Sequence, residues 1–173
     1  MSLAHALRGR RPVPSTYASG MRPALTAQES FATLMRLHVA PALRDLGFKG
    51  SGAVFNLPEA AFWASVGFQR SVYSDRDEVR FTANLTVVSR SVWQAIRVEK
   101  PYLPERPAPN TRYGRSVWQA RIGGLLPGGQ DKWWNLGPDT DLEALARDVV
   151  AAMRDFGLPA MKAQIMSGDI SGH

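Results

Sequence analysis

Three polar side chains that could bind an anion lie at alternating positions of predicted strands. Gln69 and Asn84 belong to two segments joined by a short turn, and Arg121 belongs to a later segment. An arginine among uncharged hydrogen-bonding side chains can make a two-pronged contact with a carboxylate or a phosphate. Arginine and tryptophan are also common anchors of protein interfaces. These residues therefore predict a binding surface, and an internally satisfied arginine on a solvated sheet face is the alternative.

A tryptophan pair follows the third of these segments. Trp133 and Trp134 stand in an extended stretch, where successive side chains point to opposite sides. We therefore expect one tryptophan to enter the core and the other to lie at its rim; packing of both is the alternative. The candidate binding residues are Gln69, Arg70, Asn84, Arg121, Asp131, Trp133 and Trp134.

Recognisable catalytic equipment is missing from the sequence. His5, His38 and His173 are far apart in the chain, and there is no cysteine. A histidine-based metal site or a Ser-His-Asp arrangement cannot be assembled from such a set without help. Gly128-Gly129 lacks the Lys-Ser/Thr of a phosphate loop, which indicates a plain turn. We predict no metal and no cofactor, assign no catalytic residue, and leave open whether the protein is an enzyme.

Alternating hydrophobicity predicts the strands that carry the candidate residues. Segments 62–71 and 79–87 each alternate apolar and polar residues and are joined by a polar turn, which is typical of an antiparallel hairpin. Segment 115–122 alternates in the same way, and a glycine-interrupted edge strand is expected within 48–55. One face of this sheet is apolar, and the other carries Gln69, Asn84 and Arg121.

The first predicted helix follows a capping box formed by Thr26 and Glu29. Its apolar residues recur at spacings of three and four, and Gly47 is expected to end it. Pro41 lies inside this pattern, so we expect a kink or a break there.

The last predicted helix is equally well specified. Thr140 and Glu143 read as a second capping box, and apolar residues follow at helical spacing. Gly157 suits the residue that ends a helix, and Pro159 is expected to prevent its resumption.

Strands thus segregate from helices, which predicts an α+β fold. We expect an antiparallel sheet of about four to six strands with the N-terminal and C-terminal helices on one face. The domain is expected to span 26–165, after a disordered basic tail at 1–25 and before a frayed end at 166–173. The other sheet face is expected to be open, beside a long irregular loop at 98–115.

Charge and composition limit the partners. The net charge is +6, and it is concentrated in 1–25, with four arginines and no acid, and in 90–121, with seven basic against two acidic residues. Such segments can attract nucleic acid. No apolar run is long enough for a membrane span, and the absence of cysteine fits a reducing compartment. We therefore expect a cytoplasmic protein that is not bound to a membrane.

Several short motifs together carry a family resemblance. They are Gly47-Phe48-Lys49, Phe68-Gln69-Arg70-Ser71, Asn84-Leu85-Thr86, the stretch 121–136 with its Asp131-Lys132-Trp133-Trp134, and Gly157-Leu158-Pro159. With this set the chain resembles the bacterial family of unknown function DUF4304 over about residues 26–160. The resemblance implies a small cytoplasmic bacterial α+β protein and supplies no reaction.

Three functions follow from these observations. We rank first a binding or interaction module that covers a protein partner with the open sheet face and the 98–115 loop. One alternative is an enzyme of unrecognised type that acts on an anionic small molecule beside Trp134. The other alternative, which we favour less, is electrostatic binding of nucleic acid through the basic tail and residues 90–121. The sequence does not specify the oligomeric state.

Overall fold

A six-stranded antiparallel sheet organises the chain. The structure, a computed structural model, describes residues 25–170, so that the predicted tail, apart from Leu25, lies outside the described residues. The strands are β1 (Lys49–Ser51), β2 (Val54–Asn56), β3 (Phe62–Arg70), β4 (Val79–Ser89), β5 (Trp118–Arg121) and β6 (Trp134–Leu136). They run in the order β1-β2-β3-β4-β5, and β6 also pairs with β4. The predicted α+β class is confirmed.

The β3–β4 hairpin is the centre of the sheet, as the alternating pattern predicts. Its register pairs Val66 with Leu85 and Gly67 with Asn84. Because side chains alternate along a strand, the first pair lies on one face and the second on the other. We call these the apolar face and the polar face. The predicted edge strand within 48–55 is instead a tight β1–β2 hairpin at the edge of the sheet.

β5 and β6 share one edge of β4. Residues 84–87 of β4 pair with β5, and residues 79–81 pair with β6. Between them the chain leaves the sheet through a short helix, Ile122–Leu125, and a glycine-rich turn. This excursion returns the chain to the same edge of the sheet a few residues nearer the beginning of β4.

The N-terminal helix runs through residues 27–45 in three segments: α-helical Ala27–Thr33, π-helical Leu34–Val39 and α-helical Ala40–Asp45. The capping box of Thr26 and Glu29 is confirmed. Pro41 does not break the helix. Instead the Ala40 N–H donates to the Met35 carbonyl, five residues back, and Pro41 falls in the first turn of the next segment, where its missing N–H costs little.

The C-terminal helix repeats this arrangement. It comprises α-helical Leu142–Ala152, π-helical Met153–Gly157 and α-helical Leu158–Ile170. The prediction that Gly157 and Pro159 end it is wrong: the Leu158 N–H donates to the Met153 carbonyl, and the helix continues through Pro159. The segment predicted to fray at 166 is thus helical as far as Ile170, and residues 171–173 lie outside the described residues.

The predicted cap of this helix is also corrected. Asp141, rather than Thr140, is the N-cap, since its carboxylate accepts from the amides of Glu143 and Ala144. Thr140 instead accepts a hydrogen bond from the Gly137 amide at 2.8 Å. The capping residue therefore lies one position later than the sequence pattern predicts.

Both long helices pack on the apolar face, as predicted, and form the main core with it. Phe81 in β4 shows how this core is joined, because its ring contacts Phe31 of the N-terminal helix at 5.0 Å between ring centroids and Trp134 of β6 at 5.4 Å. A third helix, Arg90–Glu99, follows β4 and buries Trp93 in a smaller cluster with Val88 and Val117. Within the described residues, no helix is long and apolar enough to cross a membrane.

Candidate functional site

The strand register brings three candidate residues together on the polar face. Asn84 of β4 lies opposite Arg121 of β5 and one strand away from Gln69 of β3. The Asn84 Nδ2 donates to Gln69 Oε1 at 2.7 Å, and the Arg121 Nε donates to Asn84 Oδ1 at 3.4 Å. The three side chains predicted from alternation alone thus form one hydrogen-bonded row across three strands.

Arg121 extends this row to two further candidate residues. Its Nη1 donates to both carboxylate oxygens of Asp131, at 2.9 Å and 3.2 Å. The Trp133 Nε1 donates to the same carboxylate at 2.8 Å, and the guanidinium lies 5.1 Å from the centre of the Trp133 ring. The Arg121 and Asp131 side chains are 40% and 53% exposed, so this pair orients the guanidinium more than it stabilises the fold.

The excursion between β5 and β6 is what places Asp131 beside Arg121. Gly128 and Gly129 both have positive φ angles, which glycine adopts without strain, and they reverse the chain. The returning backbone at Gln130 and Lys132 then passes so close to Gly123 that there is no space for a β-carbon on that residue. Backbone packing against the short helix therefore fixes the position of Asp131, which lies ten residues after Arg121 in the chain.

The polar face is not open, which corrects the expectation from sequence. The segment predicted as an irregular loop at 98–115 folds back over β3 and β4. Pro109 and Asn110 lie directly above Gly67, where a β-carbon would come within 2.7 Å of both side chains. Asn110 also accepts from the Asn84 Nδ2 at 2.9 Å. The loop therefore covers the face that was expected to meet a partner and joins its hydrogen-bonded row.

The loop is held by side chains on the helix before it and the strand after it. The Trp93 Nε1 donates to the Glu105 carbonyl at 2.9 Å, and the Tyr113 ring packs edge-on against Trp93. Gln119 of β5 donates to the Thr111 carbonyl and accepts from the Tyr113 amide. These anchors fix the loop at both ends of its passage over the sheet.

Two arginines of the basic segment 90–121 serve the same structure. Arg90 and Arg106 stack on the Trp63 ring, with guanidinium carbons 3.8 Å and 4.9 Å from the ring centre. Such contacts use the flat face of the guanidinium. Arg90 and Arg106 thus contribute to the charge that suggested nucleic-acid binding, yet both contact Trp63, and Arg106 holds the loop on the polar face.

A cavity of about 710 Å³ remains between the loop and the sheet. We call it the loop–sheet cavity. Seven of the residues that line it have amide or guanidinium side chains: Gln69, Asn84, Asn110, Gln119, Arg112, Arg115 and Arg121. None of the described residues that line it is an aspartate or a glutamate. The arrangement can therefore attract an anion and hydrogen-bond to its neutral parts.

Two of the candidate residues, Trp134 and Arg70, lie outside the hydrogen-bonded row. Trp134 is 2% exposed in the main core, where its Nε1 donates to Asp148 Oδ2 at 2.7 Å. Trp133 is the tryptophan at the rim, so the prediction of one buried and one peripheral ring is confirmed. Arg70 follows Gln69 and so points to the opposite face, 5.8 Å above the Phe31 ring. The cavity expected beside Trp134 lies beside Arg121 instead.

Carboxyl groups with a lowered pKa are found outside this cavity. Hydrogen bonds from Thr26 lower the pKa of Glu29 at the helix cap. Backbone hydrogen bonds from Glu78 and Asp77 lower the pKa of Asp75 in the β3–β4 turn, and Arg154 lowers that of Asp155. Each shift has a local structural cause, so these groups support no acid–base role in the loop–sheet cavity.

The candidate set omitted four cavity residues: Asn110, Arg112, Arg115 and Gln119. The first three lie in the segment 98–115, and their positions depend on how it folds back, which has no local periodic signal. Gln119 lies in β5, where alternation places it on the same face as Arg121. One signal did exist: Gly67 interrupts an otherwise well-filled strand, and a glycine inside a strand often marks the close approach of another backbone.

Comparison with known proteins adds a family but no activity. The model of a domain of unknown function, DUF4304, matches residues 39–163, which is well over half of the chain. Searches of curated proteins and of solved structures find no match. The matched region includes all six strands and every residue of the loop–sheet cavity.

Proposed function

This chain belongs to the DUF4304 family, and we propose that it is a binding module whose ligand is a small molecule carrying a carboxylate or a phosphate. The observation that carries the proposal is the loop–sheet cavity, whose lining includes Arg112, Arg115 and Arg121 and, among the described residues, no aspartate or glutamate. This role refines the binding function expected from sequence, since the loop now forms the ligand site instead of a flat partner surface.

The charges of the cavity favour an anion. Arg112 and Arg115 have no carboxylate within ion-pair distance in the part of the chain that the structure describes. Arg121 is paired with Asp131, and this pairing holds its guanidinium at the cavity wall. Because like charges gathered in a concave site repel one another, a bound oxoanion would relieve that repulsion and accept hydrogen bonds from each guanidinium.

The amide groups supply selectivity beyond charge. Gln69, Asn84 and Asn110 are joined by hydrogen bonds of 2.7 Å and 2.9 Å, so their orientations are fixed before a ligand arrives. Fixed amides offer both donors and acceptors, which suits hydroxyl or carbonyl groups on the rest of a ligand. We therefore expect citrate or a sugar phosphate to bind more tightly than inorganic phosphate.

A protein partner remains a proposal of second rank. Val98 and Tyr102, at the junction of the third helix and the loop, are 71% and 81% exposed. Exposed apolar side chains at the start of the loop suit a partner that senses the state of the loop. A cytoplasmic location in a bacterium, as the family resemblance implies, belongs to the same proposal.

Calorimetric titration with citrate, glucose 6-phosphate and inorganic phosphate tests the main proposal. We expect Arg112→Gln together with Arg115→Gln to weaken binding of the multivalent anions about tenfold or more, since charge-assisted hydrogen bonds to a ligand are lost. Arg80→Gln is the matched control, because Arg80 is an exposed arginine of β4 that does not line the cavity. Absence of binding, or equal weakening by the control, would contradict the proposal.

A further inference from the structure

A second concavity lies on the other side of the molecule, between the N-terminal helix and the β1–β2 hairpin. Its volume is about 540 Å³. Phe31, Met35 and Phe68 form its apolar floor, and Arg36, Arg44 and Arg70 stand at its rim. We call it the arginine groove. It shares no lining residue with the loop–sheet cavity.

The floor of this groove is the edge of the main core. Phe31, Met35 and Phe68 are 7%, 2% and 2% exposed, so each is held rigidly by packing below. Ala32 and Ala53, whose side chains are short, also line the groove. The sequence therefore leaves an apolar depression where larger residues would have closed the surface.

Within residues 25–170, the three arginines at the rim have no acidic partner. The Arg44 Nη2 donates to the Gly50 carbonyl at 2.9 Å, and the Arg70 guanidinium lies 5.8 Å above the Phe31 ring. Among the described residues, none of the three has a carboxylate within ion-pair distance, and none of the lining residues is an aspartate or a glutamate. Three unpaired positive groups around an apolar floor have the charge pattern of a site for an anion with an apolar body.

We propose that the arginine groove binds an amphiphilic carboxylate, with an alkyl tail on the apolar floor and the carboxylate at the arginine rim. The volume suits a single small molecule, and burial of the tail adds to the attraction of the head. Residues 1–24 of this chain do not fit the same role, because they carry four arginines and no acidic residue. The site is independent of the proposed function of the loop–sheet cavity.

Methyl NMR titration with decanoate, kept below its micelle concentration, tests this site. We expect the methyl signals of Ala32 and Met35 to shift, while that of Met161, a fully buried residue of the C-terminal helix, stays constant. Acetate has the head without the tail, and decyltrimethylammonium has the tail with the opposite charge. We expect neither to shift the groove signals at the same concentration.

Two exposed arginines allow the rim to be tested without disturbing the fold. Arg36→Gln and Arg70→Gln should each weaken decanoate binding about fivefold, as expected for a partly solvated charge contact, whereas Arg80→Gln should leave it unchanged. Ala32→Glu places a carboxylate at the groove and should abolish decanoate binding while admitting decyltrimethylammonium. The proposal is overturned if decanoate shifts no groove signal, if both amphiphiles bind equally, or if the three glutamine variants behave alike.

Discussion

The two faces of the sheet are built in different ways, although both are largely covered. On the apolar face, Phe81, Ala83 and Leu85 of β4 are fully buried beneath the two long helices. On the polar face, Thr82 and Thr86 of the same strand are equally buried, beneath a loop and a returning turn. One strand therefore supplies a hydrophobic core on one side and a hydrogen-bonded layer on the other.

The apolar face should therefore contribute most to the stability of the fold, and the polar face should mainly determine the position of the loop. Burial of large apolar side chains is the main favourable contribution to folding, whereas a hydrogen bond formed on burial replaces one to water and contributes less. On the polar face, the Thr82 hydroxyl donates to the Lys132 carbonyl at 2.7 Å, and Thr86 accepts from Gln119. Changes on this face should therefore alter the position of the loop more than they alter the stability of the protein.

The tryptophan pair gives the largest expected contrast between the faces. Trp134→Ala should lower the free energy of unfolding by about 4 kcal/mol, since it leaves a large cavity in the main core. Trp133→Ala should cost about 1 kcal/mol, because it removes a rim stacking contact and one hydrogen bond. Urea denaturation of both variants checks this prediction. Equal losses would mean that the two rings do not belong to different environments.

The next contrast lies in the excursion that positions Asp131. At Gly123 an added β-carbon meets the backbone of Gln130 and Lys132, whereas at neighbouring Gly124 nothing lies within 4 Å. Gly123→Ala should therefore cost about 3 kcal/mol and displace Asp131 from Arg121. Gly124→Ala should be neutral or slightly stabilising in its short helix. Unfolding measurements on both test this difference, and a tolerant Gly123 would contradict the close approach.

Gly67 tests the loop directly. Gly67→Ala introduces a β-carbon 2.7 Å from Asn110 and Pro109, so we expect the loop to lift at a cost of about 1–2 kcal/mol. Hydrogen exchange at residues 107–113 should rise, and anion binding in the loop–sheet cavity should fall. Ser65→Ala on the same strand is the control, because the buried Ser65 hydroxyl has no hydrogen-bond partner among the described residues. Unchanged exchange in the Gly67 variant would show that the loop does not depend on this contact.

Sequence reasoning succeeded where a local period determines the outcome. Alternation in segments 62–71 and 79–87 predicted the central hairpin, and the same alternation placed Gln69, Asn84 and Arg121 on one face. Arg70, a candidate residue of the opposite parity, lies on the other face, as alternation requires. It left the tryptophans unassigned, since alternation separates Trp133 from Trp134 but does not say which one faces the core.

Tertiary contacts overrode local rules elsewhere. Gly157 and Pro159 are typical of a helix end. Instead a π-helical turn precedes the proline and the helix continues through it, as it does at Pro41. The loop residues Asn110, Arg112 and Arg115 depend on contacts with Trp93 and Gly67 that are distant in sequence. Six of the fourteen described residues that line the loop–sheet cavity therefore come from a segment whose conformation no local pattern specifies.

The smallest predicted effect concerns the turn that joins β3 to β4. The Asp75 carboxylate accepts from the amides of Asp77 and Glu78, each at 2.8 Å, and these bonds lower its pKa below the ordinary 3.8. The turn also docks the start of the N-terminal helix, since the Ala27 amide donates to the Arg76 carbonyl at 2.9 Å. The carboxylate thus links the tip of the central hairpin to the helix that covers the apolar face.

Because the pKa of Asp75 is lowered in the folded state, its contribution to stability is present above the ordinary aspartate pKa. It is lost as the pH falls through the lowered value. In Asp75→Asn, the free energy of unfolding should therefore fall less steeply between about pH 5 and pH 2 than it does in the unsubstituted protein. Asp77→Asn is the control, because the Asp77 side chain accepts no hydrogen bond in the described structure. An unchanged acid profile in the Asp75 variant would mean that the turn does not couple the hairpin to the helix through this carboxylate.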